Sequence, residues 1–418
     1  MENININQNI RLCYIPMTKL KTTTVSAYIH RNLSEKEVSK NAILPYVLKR
    51  GCAICQNSAK ISKYLENLYG ASLSGYTMKL GDDHVMSFVG ETISDKYAPD
   101  NERLVSGLLN LILSVIFEPV SFTEEIINQE KKNAKDRIMA ELNNKTIYAM
   151  HRCGEEMCKG DSFALSTLGT VEGIDEITAD DLKFHYDNII ASSVIDIYIC
   201  GDCDFKAAAD EIEKKILNIA FTDAKTAKPA IFKRSGEVKN ITEHMEVAQG
   251  KLSIGFRTNI SPDSEEYPAL MIMNSVFGGG AHSKLFNNVR EKLSLCYYAS
   301  STIVKYKGIM YVNAGIEFKN FEKAYNEILA QLEMIKNGEI SEFEFVSSVK
   351  ALQNELEAYK DDQRKIQLFY LSKQLTNSDY DIDALKEKIS KLKIDDIVDA
   401  AKKVELDTVY FLAGKEEN

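Results

Sequence analysis

The feature that most constrains this chain is that it repeats itself. Asn32-Leu33-Ser34 is followed by Asn41 to Gly51 (NAILPYVLKRG), and Asn259-Ile260-Ser261 by Pro268 to Gly278 (PALMIMNSVFG). A single shift of 227 residues superposes both blocks without a gap. It matches Asn, Ser, Ala and Gly and sets an apolar residue opposite Leu33, Ile43, Leu44 and Tyr46. A second block follows at a shift of 221, where Ser62 to Leu68 (SKYLENL) parallels Ser283 to Val289 (SKLFNNV). Self-similarity at long period means that one structural unit has been used twice. A chain of 418 residues is also too long for one ordinary core.

Each repeat is preceded by a strand-like run of β-branched and aromatic residues, Thr22 to His30 and Leu252 to Arg257. The expected order in each half is strand, loop, helix, loop, helix, then strands. In the first half the pattern predicts helices over about 101–117, 123–158 and 205–217, and one opened by Thr178-Ala179-Asp180-Asp181, whose spacing fits a capping box. Val194 to Cys200 reads as a strand. The second half predicts helices near 321–336, 341–359, 363–375 and 394–402, with a closing strand over 408–412. Tight joins between strands and helices of this kind point to α+β layers rather than a doubly wound parallel sheet. Residues 222–242 are polar, with a proline and little periodicity, which is linker composition. The expected division is therefore a first domain over 1–221, a linker over 222–242 and a second domain over 243–418.

Charge and cysteine usage narrow the function. The formal net charge is -10 and the pI about 5.4. That disfavours nucleic acid and anionic membrane, which both call for a basic face. The N-terminus has neither a basic nor an apolar signal region, and the apolar run Leu104 to Phe117 is too short to span a bilayer. Eight cysteines in such a chain read as reduced thiols, so a cytoplasmic location is expected. Cys52/Cys55 and Cys200/Cys203 are Cys-x-x-Cys pairs. Their wide separation and the apolar strand before Cys200 favour buried small hydrophobes over a zinc ribbon.

The most specific stretch runs from Phe277-Gly278-Gly279-Gly280 through Ser283-Lys284-Leu285-Phe286 and Arg290-Glu291-Lys292 to Leu295-Cys296-Tyr297. Glycines let a backbone approach closely, and a following helix start offers free N–H groups. A phosphate loop would need Gly-Lys-Ser/Thr or Gly-x-Gly-x-x-Gly, and neither is present. Taken singly, Arg290 is a solvated helix charge and Tyr297 a core aromatic. Together the stretch resembles the second-half signature of the insulinase (M16) peptidases, as do Val247 to Leu252, Phe256-Arg257-Thr258 and Gly201-Asp202. The resemblance covers essentially the whole chain. It implies two tandem homologous domains of the LuxS/mitochondrial-processing-peptidase type, each a mostly antiparallel sheet packed against helices. It also implies that Arg290 and Tyr297, behind the loop of Gly278, Gly279 and Gly280, hold polypeptide substrate, as donors aimed at a developing oxyanion.

An M16 peptidase carries His-x-x-Glu-His, two imidazoles one turn apart for zinc and a carboxylate for its water. No such motif occurs here, nor any His-x-x-x-His; His30, His84, His151, His185, His244 and His282 are scattered. Aligned on the Leu-x-x-Gly that comes next in the family, the two His positions fall at Ala42 and Tyr46 and the Glu at Pro45. The family's further, downstream Glu falls near Asn128 to Glu130. Methyl, pyrrolidine and phenol supply no zinc chemistry, so no metal or cofactor is expected in this chain. Some M16 enzymes divide the motif and the Arg/Tyr pair between two chains. The resemblance thus implies a pseudopeptidase that pairs with a zinc-bearing paralogue, with zinc in that partner and a peptide or unfolded polypeptide as substrate. Within the family the likeness is to the inactive insulinase-like proteins of Gram-positive bacteria associated with elongation factor P modification; that association comes with the resemblance alone. The alternatives are a zinc peptidase with an atypical site and a purely structural interaction protein.

Overall fold

The structure, a computed structural model, describes residues 1–99, 102–227, 230–231 and 236–415. Part of the expected linker, residues 228, 229 and 232–235, lies outside them, as does the expected helix start at 101. The fold is mixed α+β, with two sheets packed against helices. The chain gathers into two compact units. Unit 1 holds Met1–Met139, Leu165–Ala227 and Lys360–Leu371; unit 2 holds Ala140–Ala164, Lys228–Tyr359 and Ser372–Asn418.

The first stretch of chain forms β1 (Glu2–Asn5), β2 (Ile10–Pro16), β3 (Thr22–Asn32), α1 (Val38–Leu48), α2 (Ser58–Asn67), β4 (Ser72–Leu80) and β5 (Asp83–Ile93). Helices α3 (Leu104–Phe117), α4 (Glu124–Asn143), α5 (Lys145–Met157), α6 (Val171–Asp175) and α7 (Ala179–Ser192) come after it, then β6 (Val194–Gly201) and α8 (Phe205–Ile216). Next are β7 (Lys239–Met245), β8 (Gly250–Arg257), α9 (Tyr267–Gly278), β9 (Cys296–Val304), β10 (Ile309–Ile316), α10 (Phe321–Lys336) and α11 (Glu342–Tyr359). The chain ends with α12 (Gln363–Thr376), α13 (Ile382–Ser390), α14 (Ile394–Lys402) and β11 (Glu405–Gly414).

The sheet of unit 1 runs β1-β2-β6-β3-β5-β4 and that of unit 2 β7-β11-β8-β10-β9. Apart from β1, the two share one plan: a parallel pair at one side (β2 with β6, β7 with β11), then antiparallel ladders out to β4 and β9. Three boundaries differ from the sequence pattern. The helix expected over 123–158 is two helices, because Asn144 caps α5 by accepting from the Ile147 N–H. Strand β7 begins inside the expected linker, its exposed edge showing too little apolar patterning to betray it. Helix α13 is additional, capped by Asp381. Thr178 caps α7 by accepting from the Asp181 N–H, as its spacing implies.

The compact units are not contiguous in sequence. Alternation along β3 puts Val25, Ala27 and Ile29 into a core with α1 and α3. It puts Thr24, Ser26, Tyr28 and His30 on the other face, and all four are also buried. That second face is covered within unit 1 by the start of α12. Thr24 Oγ1 donates to Gln363 Oε1 at 2.5 Å, Ser26 Oγ to Gln367 Oε1 at 2.6 Å, and Gln363 Nε2 to the Thr22 carbonyl at 2.7 Å. In unit 2 the corresponding cover is α5. Ala149, Cys153 and Met157 pack on Ile309, Tyr311, Tyr410 and Leu412, and Arg257 donates to the Met157 carbonyl at 2.7 Å. A division into 1–221 and 243–418 omits these two exchanged segments, since a boundary drawn from linker composition does not see which sheet a helix covers.

One buried charge network crosses the polar face of the first sheet. His30 Nδ1 is hydrogen-bonded to Asp83 Oδ2 at 3.2 Å, and Nε2 lies 3.2 Å from Asp196 Oδ2, an ion-pair distance without hydrogen-bond alignment. Asp196 also accepts from Arg11 at 2.7 Å and 2.9 Å. Burial alone would favour neutral imidazole, but the close carboxylates of Asp196 and Asp83 outweigh it and hold the His30 pKa up at about 9. The folded value is raised, so the stabilisation is complete below the unfolded value near 6.5 and is lost as pH rises toward about 9. Urea unfolding should therefore show wild type losing up to about 3 kcal/mol more than His30→Gln over that window. Equal pH dependence of the two proteins would show that His30 is neutral.

Candidate functional site

Helix α1 carries the three positions where the zinc motif would fall. It is buried along nearly its whole length, including Ala42, Ile43, Leu44, Pro45, Val47 and Leu48. Pro45 lies in the interior of the helix rather than in its first turn, where an internal proline typically costs about 3 kcal/mol. Burial of its neighbours on both sides keeps the helix formed.

Ala42 and Tyr46 stand one turn apart, and the chain places cations beside them. The guanidinium of Arg137, on α4, lies 3.6 Å from the centre of the Tyr46 ring. Four residues past Tyr46, Arg50 Nε donates to Glu130 Oε1 at 2.6 Å; Asn133 donates to the same oxygen at 3.2 Å. Glu130 is only 2% exposed. Burial and the Arg50 charge lower the Lys49 pKa, with Glu130 acting in the opposite sense. Lys49 caps the C-terminus of α1 and Arg50 follows it, one turn past Tyr46, while 130, 133 and 137 share one face of α4 at helical spacing.

Zinc does not fit this arrangement. A methyl group and a phenol packed under a cation stand at the expected ligand positions, and a proline ring stands at that of the base. The one buried carboxylate is already bound by Arg50. Among the described residues no group of three or more His, Cys, Asp or Glu is placed to hold a metal ion. The eight cysteines are free, and Cys52 and Cys55 face each other across a narrow turn with mutual backbone hydrogen bonds of 2.8 Å and 3.0 Å. Both are buried.

In unit 2 Arg290 and Tyr297 come together. Both line an open cleft of about 390 Å³ with Glu291, Ser294, Leu295, Cys296, Glu317 and Asn320. Each sits on a local irregularity. Arg290 belongs to a π-helical segment, Leu285–Lys292, closed by the Leu293 N–H on the Asn288 carbonyl at 3.1 Å. Tyr297 falls at a bulge on the edge strand β9, where Tyr298 pairs with Gly315 but Cys296 with Ile316. Between them Ser294 takes a positive φ of 51°. Inserted residues of both kinds re-aim side chains and are frequent at functional sites. Tyr297 is 60% exposed, and the Arg290 guanidinium lies 4.7 Å over the Phe286 ring.

Gly278, Gly279 and Gly280 do not line this cleft. A Cβ on Gly278 would meet the Ser301 backbone nitrogen at 2.5 Å, and one on Gly279 would meet Ser275 Cα at 2.6 Å. Close packing at the end of α9 demands both. Gly280 has only the His282 ring near it, at 3.3 Å. Sequence reasoning missed Arg50 and Arg137. Their signal was spacing: Arg50 four residues past Tyr46, and Arg137 seven past Glu130, two helical turns on one face.

A chain with two sheets of one strand plan packed against helices, and with Arg290 and Tyr297 on one cleft, has the architecture of an M16-type peptidase homologue. Residues 176–352 match the family model described as Peptidase M16 inactive domain. Over 405 residues the chain is 35% identical to the "Probable inactive metalloprotease YmfF" of Bacillus subtilis, covering 95% of this chain and 94% of that protein. The solved structure of a conserved protein from Enterococcus faecalis V583 superposes with a TM-score of 0.91 at 28% identity, covering 100% of this chain and 99% of that one. A peptidase M16 inactive domain from Pseudomonas fluorescens shares the fold, with a TM-score of 0.80 at 17% identity over 99% and 98% of the two chains. The chain belongs to the M16 peptidase family, as a homologue without the zinc-binding motif.

Restoring the motif alone should not restore the metal. In the triple variant Ala42→His, Pro45→Glu, Tyr46→His, the Arg137 charge remains beside the new ligands, and like charges at close range disfavour each other strongly. Isothermal titration should show zinc affinity rising at least about tenfold (~1.4 kcal/mol) when Arg137→Ala is added to that variant. Equal zinc affinity with and without Arg137 would remove the cation from the explanation.

Proposed function

We propose that this chain is the non-catalytic subunit of an M16-type zinc peptidase. It pairs with a zinc-bearing paralogue and supplies Arg290 and Tyr297 to a polypeptide substrate. The observation that carries this reading is the cleft of unit 2, where a guanidinium and an exposed phenol converge although a π-helical turn and a β-bulge are needed to aim them. A phenol that is 60% exposed, as that of Tyr297 is, contributes little to packing. Unit 1 meanwhile has no residue at the motif positions able to activate water. The division of labour rests on that contrast: zinc and its base reside in the partner, and donors to the substrate reside here. Among the described residues no helix is long and apolar enough to cross a membrane. Eight free thiols suit a reducing compartment, and we place the protein in the cytoplasm.

The test is reconstitution with a paralogue of similar size that carries an intact His-x-x-Glu-His. Arg290→Ala and Tyr297→Phe should each lower kcat of the assembled pair by about 10²-fold, the loss typical of one oxyanion donor, while sedimentation shows assembly unchanged. Full turnover by both variants would favour a purely structural role. Chelator-sensitive cleavage by this chain alone would favour an atypical zinc site.

A further inference from the structure

The motif face of unit 1 has more positive charge than its own packing uses. Lys49, Arg50 and Arg137 stand against a single buried carboxylate, Glu130, in a chain whose overall charge is -10. Arg50 is committed to Glu130, and Asn133 takes a further share of the same oxygen. Arg137 is not committed. Its plane is fixed against the Tyr46 ring at 3.6 Å, and its Nη2 is out of reach of solvent with no hydrogen-bond partner. Lys49, half-buried beside it, feels the attraction of Glu130, which Arg50 already holds. Tyr46, Lys49, Arg50 and Arg137 all keep part of their surface exposed, so the face can be reached.

We propose that this face is a binding site for a carboxylate carried by a polypeptide, received by Arg137 and Lys49. The chemistry selects the ligand. The Arg137 guanidinium and the Lys49 ammonium offer N–H donors to a carboxylate, and such charge-assisted bonds are among the stronger ones available. Stacking on Tyr46 restrains the guanidinium before any ligand arrives, so less side-chain entropy remains to be lost. A fixed monovalent cation thus stands on the helix face where zinc would otherwise polarise a substrate oxygen. It can hold an acidic group, but it has no open coordination position and cannot generate hydroxide. The site concerns this chain alone and does not depend on pairing with a zinc-bearing partner.

The carboxylate can be a C-terminus or an Asp or Glu side chain, and three fluorescein-labelled Ala/Ser decapeptides separate the sources. One ends in a free carboxylate, one is amidated with a single internal Glu, and one is amidated without acid. By fluorescence anisotropy with the full-length chain, at least one acidic form should bind tenfold or more tightly than the neutral form. The preferred form identifies the source. Arg137→Met should abolish the preference, and Arg137→Lys should retain part of it. Equal binding of all three peptides, binding of none, or an undiminished preference in Arg137→Met would overturn the proposal. If Arg137→Met does not fold, the wild-type Arg137 Nε resonance followed by NMR during acetate titration decides the matter: a saturable shift supports the site, and no shift overturns it.

Discussion

A sheet has two faces, and a strand buried on both must find cover for both. In unit 1 this constraint shapes most of the architecture. One face of β3 is apolar and meets α1 and α3. The other carries Thr24, Ser26, Tyr28 and His30, which are buried and therefore need partners rather than packing alone. Gln363 and Gln367 accept from the hydroxyls, while the imidazole has a hydrogen bond to Asp83 and the charge of Asp196 beside it. These polar contacts specify register, because a slip by one residue along α12 or β3 would strand every donor. Unit 2 meets the same constraint with α5 and apolar side chains, together with the buried Arg257–Asp407 pair at 3.0 Å. Two copies of one sheet plan are thus completed by different chemistry.

How legible this was depends on the range of the signal. Period-two and period-3.6 patterns carry the strands β3, β6, β8 and β11 and helices such as α7 and α14, whose limits at Ile394 and Lys402 agree with the pattern. Local chemistry also carries Thr178 as a cap. Asn144, by contrast, splits an otherwise continuous polar helix, and nothing in charge or periodicity distinguishes a break there from a bend. The assignment of α5 to unit 2 and of the start of α12 to unit 1 is illegible for a different reason. Both helices have patterns that any sheet could receive, and which sheet receives them is a property of the assembled fold.

The candidate site divides along the same line. Arg290 and Tyr297 were visible as a spaced pair in a Gly-rich context, yet what aims them is invisible. A π-helical turn, a positive φ at Ser294 and a bulge at Tyr297 each depend on backbone hydrogen bonds that no side-chain pattern records. The three glycines were read with the cleft, whereas two are required by the approach of α9 to Ser301 and by the turn back onto Ser275. Glycine shows that something comes close and does not say whether it is substrate or self.

The motif helix shows why losing zinc ligands is not the end of the physical problem. A carboxylate that is only 2% exposed is costly to keep ionised without a compensating charge, so Glu130 has to be paired or protonated. Arg50 pairs it, and Asn133 occupies a further lone pair. Arg137 then adds charge beyond what pairing requires, at the helix face where a metal would otherwise concentrate it. Ligand loss alone would leave a neutral surface. With Arg137 over Tyr46 and Lys49 and Arg50 just past the end of α1, this surface is cationic and partly open.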